Sequence, residues 1–212
     1  MTQPRARLLD SGVVAVLRDI DADVMIDTID ALQAGGVTAM EITADAPRAS
    51  QTIGEVASAF DDDIILGAGT VMDAATASRV VEAGAEFVVS PHFDPDVVTA
   101  TKRRGAVAGP GIMTPTEAVR ATEAGADLLK IFPAATVGAG HLGAIQSALG
   151  QLPIMPTGGI SPDNVKEFFD AGASVVGAGS ALIDYDAIER GDFEAVEERA
   201  REFVAAVEAA QE

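Results

Sequence analysis

The chain has no cysteine, which excludes disulfides, thiol catalysis and thiolate metal sites. It has two histidines, His92 and His141, too few for a multi-histidine zinc centre in one copy. Aromatic residues are sparse, and no apolar run is long enough to span a bilayer. The segment Met1 to Asp10 carries charges and lacks the apolar core of a signal peptide, so a cytoplasmic location is expected. Positive charge is also scarce. Fourteen Lys and Arg stand against 33 Asp and Glu, a formal net charge of −19. Such a surface repels phosphate backbones, which argues against nucleic acid as a partner. It also destabilises a compact chain unless salt screens the repulsion. Acidic residues crowd Asp61-Asp62-Asp63 and Glu194 to Glu202. The aspartate triplet reads as a solvated turn in preference to a cation site.

What is present is a rhythm of short apolar runs, recurring at roughly 20–27 residues. They are Val13–Leu17, Ala39–Ile42, Ile64–Leu66, Phe87–Val89, Ala106–Ala108, Leu128–Ile131, Pro153–Met155 and Val175–Val176. Continuous apolar character predicts strands covered on both faces. Amphipathic stretches of helical length lie between them. Four of these end in a glycine suited to a helix C-cap: Gly35-Gly36, Gly84, Gly125 and Gly172. Thr114-Pro115 and Ser161-Pro162 each place a capping hydroxyl before proline, as at a helix start. A final helix is expected over about Glu194 to Ala209. Eight strands alternating with helices predict an α/β fold, a (β/α)8 TIM barrel. A doubly wound open sheet is the alternative. No linker divides the chain, so residues 1–212 read as one domain with a short N-terminal helix.

Lys130 stands inside the apolar run Leu128-Leu129-Lys130-Ile131-Phe132. Burial disfavours the charged form of an amine, and a free amine attacks carbonyl carbon. A lysine within a buried strand is therefore a Schiff-base candidate. The bland reading is a packed stem whose head reaches water or a carboxylate. The other two lysines, Lys102 and Lys166, lie in polar stretches. Glu41, in the second run, is a natural partner for the amine and can carry protons. Its bland reading is a permanent ion pair that fills the interior, a poor source of stability because desolvation offsets the attraction.

Polar and glycine residues gather just after the runs, where the active-site rim of a parallel barrel lies. They include Arg18, Thr43, Gly69, Thr70, Ser90-Pro91-His92, Pro110-Gly111, Phe132-Pro133, Thr157-Gly158-Gly159 and Gly177 to Ser180. The last two clusters follow strands seven and eight, the usual phosphate-binding place in such barrels. Glycine there lets backbone N–H groups approach an anion. Gly67-Ala68-Gly69-Thr70 suits a substrate carboxylate or, equally, a tight turn. Pro91 and Phe132 would wall the pocket or simply pack. His92 reads as a rim or interface residue and His141 as a surface helix residue.

These segments resemble the 2-keto-3-deoxy-6-phosphogluconate (KDPG) and 4-hydroxy-2-oxoglutarate (KHG) aldolases over nearly the whole length. The resemblance rests on Val14 to Arg18, Glu41-Ile42-Thr43, Gly67 to Val71 and Val89 to His92. It continues through Pro110 to Glu117, Leu129 to Pro133, Pro156 to Ile160 and Gly179-Ser180. It implies a homotrimeric barrel enzyme, a lyase of the Entner–Doudoroff pathway, needing no metal or other cofactor and no membrane. Its partner would be a phosphorylated keto-deoxy sugar acid. On that resemblance Lys130 forms the Schiff base and Glu41 moves protons. Arg18, Thr43, Gly69, Thr70, Pro91 and Phe132 contact the substrate, and Gly158, Gly159, Gly179 and Ser180 hold its phosphate. One departure is Asp45, which stands where many members carry an arginine that helps bind the substrate carboxylate. That leaves the carboxylate to Arg18, Thr43 and the Gly69-Thr70 backbone, and leaves open the galactonate epimer and 4-hydroxy-2-oxoglutarate. A sugar-phosphate epimerase using a Lys/Glu proton relay and a non-catalytic phosphosugar sensor are the rival readings.

The charge balance, with so little lysine, points to a halophile-like protein adapted to a salty cytoplasm. The melting temperature should climb steeply between low salt and molar KCl, and a flat curve would exclude this adaptation.

Overall fold

The computed structural model describes residues 3–212. Among them the strands are β1 (Val13–Leu17), β2 (Ala39–Thr43), β3 (Ile65–Gly69), β4 (Phe87–Val89), β5 (Val107–Gly109), β6 (Gly111–Ile112), β7 (Leu129–Ile131), β8 (Ile154–Pro156) and β9 (Val176–Ala178). The helices are α1 (Pro4–Asp10), α2 (Ala22–Ala34), α3 (Ala49–Phe60), α4 (Ala74–Glu82), α5 (Pro95–Arg103) and α6 (Pro115–Glu123). They continue with α7 (Ala134–Val137), α8 (Ala139–Leu149), α9 (Val165–Asp170), α10 (Tyr185–Arg190) and α11 (Phe193–Gln211).

All pairings are parallel. A six-stranded sheet runs β5-β4-β3-β2-β1-β9 and a three-stranded sheet runs β6-β7-β8. The break between β5 and β6 falls at Pro110, which has no N–H to give a ladder. Its carbonyl still accepts from the Lys130 N–H at 2.9 Å, and Ala108 O accepts from the Asp127 N–H at 2.9 Å. On the other side a parallel bridge joins Thr157 to Gly177, and Ser174 N–H donates to Ile154 O at 2.9 Å.

Side chains alternate between two apolar layers, as the pleat requires. Ala15, Leu17, Met40, Ile42, Leu66 and Ala68 face the helices, within the larger core. Val14, Ala39, Ile65, Phe87, Val107, Leu128, Met155 and Val175 face the concave side. Leu8 from α1 joins this inner cluster and plugs it from below. Arg7 ties α1 down through Ile64 O, Asp62 O and Glu86. By the same alternation Glu41 and Thr43 share the face of Ala39, and Lys130 shares that of Leu128.

The glycine junctions take the form expected of them. Gly36, Gly84, Gly125 and Gly172 all have positive φ, between 93° and 121°, a region a side chain would resist. Thr114 makes a full capping box with Glu117 at the start of α6. Ser161-Pro162 does not start a helix. Asn164 Oδ1 accepts from the Ser161 N–H, and Asn164 Nδ2 donates to Gly159 O. These bonds lock a turn, and α9 begins only at Val165. No helix among the described residues is long and apolar enough to cross a membrane.

Candidate active site

Lys130 and Glu41 meet across the concave space. Their strands, β7 and β2, are not neighbours in either sheet, so the contact can form only through the interior. Lys130 is 5% exposed and Glu41 1%. Nζ lies 3.4 Å from each carboxylate oxygen, against about 2.8 Å in a tight charge-assisted bond. The amine is thus paired but not clamped. The space for the carboxylate comes from β3, because a Cβ on Gly69 would overlap Glu41 Oε1. Below it, a Cβ on Gly67 would overlap the Phe87 ring.

Nζ also stands 5.9 Å from the centroid of Phe132. Phe132 forms one wall of a cavity of about 390 Å³. Val16, whose Cα pairs in register with that of Glu41, forms part of the same lining. Arg18, Gly158, Gly159, Gly179 and Ser180 also line it. Lys130 and Glu41 are not part of that lining; Phe132 and Val16 connect the cavity to the pair.

Gly158 and Gly159 have φ of 93° and 77°. Their loop carbonyls are occupied: Thr157 O accepts from Ala134 N–H, Gly158 O from Ala135 N–H and Gly159 O from Asn164 Nδ2. The Thr157–Gly177 bridge engages the Gly158 N–H, while among the described residues the Gly159 N–H has no such partner. A loop with engaged carbonyls and a free N–H group is suited to an anion.

Four further expected residues lie beside this cavity, outside its lining. Thr43 is buried and its Oγ1 has no hydrogen-bond partner among the described residues. Gly69 serves Glu41, as above. Thr70 accepts from Arg18 Nη2 at 2.6 Å. Pro91 packs its carbonyl against Gly111, where no Cβ would fit. His92 is half-buried, with Nδ1 lacking a partner among the described residues. His141 is a correction: it is half-buried, with Nε2 2.8 Å from Met113 O, because α8 packs beside the end of β6.

Thr157, placed at the rim by the sequence but given no role, also lines the cavity, with Ser161 and Tyr185, which sequence reasoning did not assign to it. Thr157 Oγ1 is buried without a partner among the described residues. The signal for Thr157 was its place before the glycine pair; Tyr185, in α10, gave none. Burial pushes the Tyr185 hydroxyl above its ordinary pKa, with the Asp19 charge adding to it. Among the described residues no three His, Cys, Asp or Glu side chains gather as a metal site would require.

A parallel α/β scaffold with an interior lysine–carboxylate pair beside a glycine-lined cavity has the form of an α/β enzyme. Comparison with known proteins narrows it. Residues 5–199 match the model described as KDPG and KHG aldolase. The chain is 36% identical over 194 residues to the 2-dehydro-3-deoxy-phosphogluconate aldolase of Pseudoalteromonas atlantica, covering 91% of this chain and 90% of that protein. It is 32% identical over 171 residues to the 2-dehydro-3-deoxy-6-phosphogalactonate aldolase of Escherichia coli, covering 80% and 83%. Its fold superposes with a TM-score of 0.88 on a Legionella pneumophila KDPG aldolase crystallised with pyruvate as a covalent carbinolamine. That match has 29% identity and covers 95% and 98% of the two chains. The chain belongs to the KDPG and KHG aldolase family, and is an aldolase, a lyase.

Removing one member of the interior pair should be far worse than removing both. Lys130→Met leaves a buried carboxylate unpaired and should cost about 3–5 kcal/mol. The Lys130→Met/Glu41→Gln double variant should recover most of that loss in a urea titration. Equal loss in both would mean that the two groups are not coupled.

Proposed function

We propose that the protein cleaves 2-keto-3-deoxy-6-phosphogluconate to pyruvate and glyceraldehyde 3-phosphate through an imine on Lys130. The observation that carries this reading is the buried Lys130–Glu41 pair, whose amine faces Phe132, a wall of the cavity that the Gly158-Gly159 loop also lines. The carbinolamine in the Legionella relative supports the covalent route. The two sheets are read as one closed (β/α)8 barrel, supported by the bonds at Pro110 and Ala108 on one side and the Thr157–Gly177 bridge on the other.

Lys130 first passes its proton to Glu41, which lies within reach of Nζ. The free amine adds to the C2 ketone, and Glu41 returns protons as the carbinolamine loses water. The protonated imine then withdraws electrons. Loss of the C4 hydroxyl proton breaks C3–C4, releases the aldehyde and leaves an enamine. Protonation at C3 gives the pyruvate imine, which water hydrolyses to pyruvate and free Lys130. Phe132 covers the imine. Arg18 and Thr43, with Gly69, Thr70 and Pro91 behind them, serve the keto-acid end. Gly158, Gly159, Gly179 and Ser180 grip the phosphate, away from the bond that breaks, so that its binding energy can be used at the reacting carbons. The assembly is read as a homotrimer, for which the exposed Met72, Val119 and Val137 offer apolar surface.

A second reading is the galactonate epimer, favoured by the Escherichia coli relative of that name and by Asp45 in the loop after β2. Two measurements test these readings. Pyruvate with borohydride should add a three-carbon label to Lys130 and none to the Lys130→Met/Glu41→Gln variant; absence of label on the native protein would reject the imine. Triose-phosphate release from the two purified epimers in molar KCl should be faster with the gluconate. Faster release from the galactonate would assign the protein to the second reading.

A further inference from the structure

Arg18, Asp45 and Thr70 come from the segments after three adjacent strands, β1, β2 and β3. Arg18 Nη1 donates to Asp45 Oδ2 at 2.5 Å and Nη2 donates to Thr70 Oγ1 at 2.6 Å. Thr70 has φ of 54°, an unusual backbone for a β-branched residue. It follows Gly69, the residue against which the Glu41 carboxylate lies. The tie to Thr70 therefore draws the guanidinium toward the Glu41–Lys130 end of the cavity.

The Arg18–Asp45 pair is largely exposed, with side-chain exposures of 42% and 47%. Exposed ion pairs add little to folding stability. A two-point hold on a long, flexible side chain does fix where its remaining donors point. Two of the five guanidinium N–H groups are used, and the others stay free for a ligand. Burial opposes the charge on Asp45. The Arg18 hydrogen bond, the nearby Thr43 hydroxyl and the Arg18 charge outweigh it, and hold the carboxyl below its ordinary range.

We propose that Asp45 is a positioning residue: it fixes Arg18 against Thr70, so that the free guanidinium N–H groups receive the carboxylate of a 2-keto acid bound at Lys130. The phosphate end is then left to the backbone donors of the glycine loops. This role rests on the aldolase reading. Asp45, placed where an arginine would bind the carboxylate directly, acts instead by setting the only arginine that lines the cavity among the described residues.

The test is borohydride trapping of pyruvate on the full chain in molar KCl, as a function of pyruvate concentration. Asp45→Ala should raise the half-trapping concentration about tenfold, the scale of one charge-assisted hydrogen bond. Asp45→Asn keeps an acceptor for Nη1 and should recover most of that loss. Both variants should melt close to the native protein and keep its thermal protection by inorganic phosphate at constant ionic strength. Three results would overturn the proposal: unchanged trapping in Asp45→Ala, an Asn variant no better than the Ala variant, or parallel loss of phosphate protection. A native protein that takes no label at all would overturn the imine on Lys130 itself.

Discussion

The rest of the site depends on a carboxylate and an amine facing each other inside an apolar shell. Each would be costly to bury alone. Together they are tolerable only because β2 and β7 bring them within 3.4 Å, and that requires the sheet to curl. The curl is set lower down, where Phe87, Leu128, Met155 and Leu8 fill the concave side. Glycines on β3 make room for what the neighbouring strands carry: Gly67 for Phe87, Gly69 for Glu41. Packing density at the floor and reactive groups above it are therefore two consequences of one strand register. The ion pair adds little net stability, so its persistence in the interior is better explained by chemistry than by folding.

On the proposed reading an acidic protein grips phosphate, which looks contradictory at a net charge of −19. The contradiction disappears with distance. Exposed carboxylates are screened within about 8–10 Å at moderate salt, and more closely at high salt. On the proposed reading the loop donors act at contact, and the carbonyls of Gly158 and Gly159 are turned away to Ala135 and Asn164. The Asn164 turn has a cost: it places the first residue of α9 at Val165, beyond the loop. On the proposed reading the phosphate is held by oriented peptide donors more than by a helix end.

Much of this was legible because it is written locally. Apolar runs, glycine junctions and the Thr114–Glu117 box each depend on residues a few positions apart. Lys130 stood out because a charge in an apolar run has few explanations. What was hidden needed long-range contacts. Pro110 separates β5 from β6, a short strand beyond the fifth run that the apolar pattern did not mark. Ser161-Pro162 carries a helix-start pattern, yet Asn164 makes a competing turn. Tyr185 enters the cavity from α10, and nothing in its surroundings in the sequence marks it. Asp45 looked like the loss of a cation; only the fold places it on Arg18.

That contrast suggests how such a site divides its work. Glu41 and Lys130 project from strands, where register leaves little freedom. Asp45 lies just two residues beyond β2, in a segment whose change need not disturb that register. Substitution there can alter how the keto acid is held while the reacting pair stays fixed. Loops tolerate variation that strands do not, so chemistry can persist while the acid that is recognised changes. The relatives named for gluconate and galactonate epimers are similarly distant from this chain, at 36% and 32% identity.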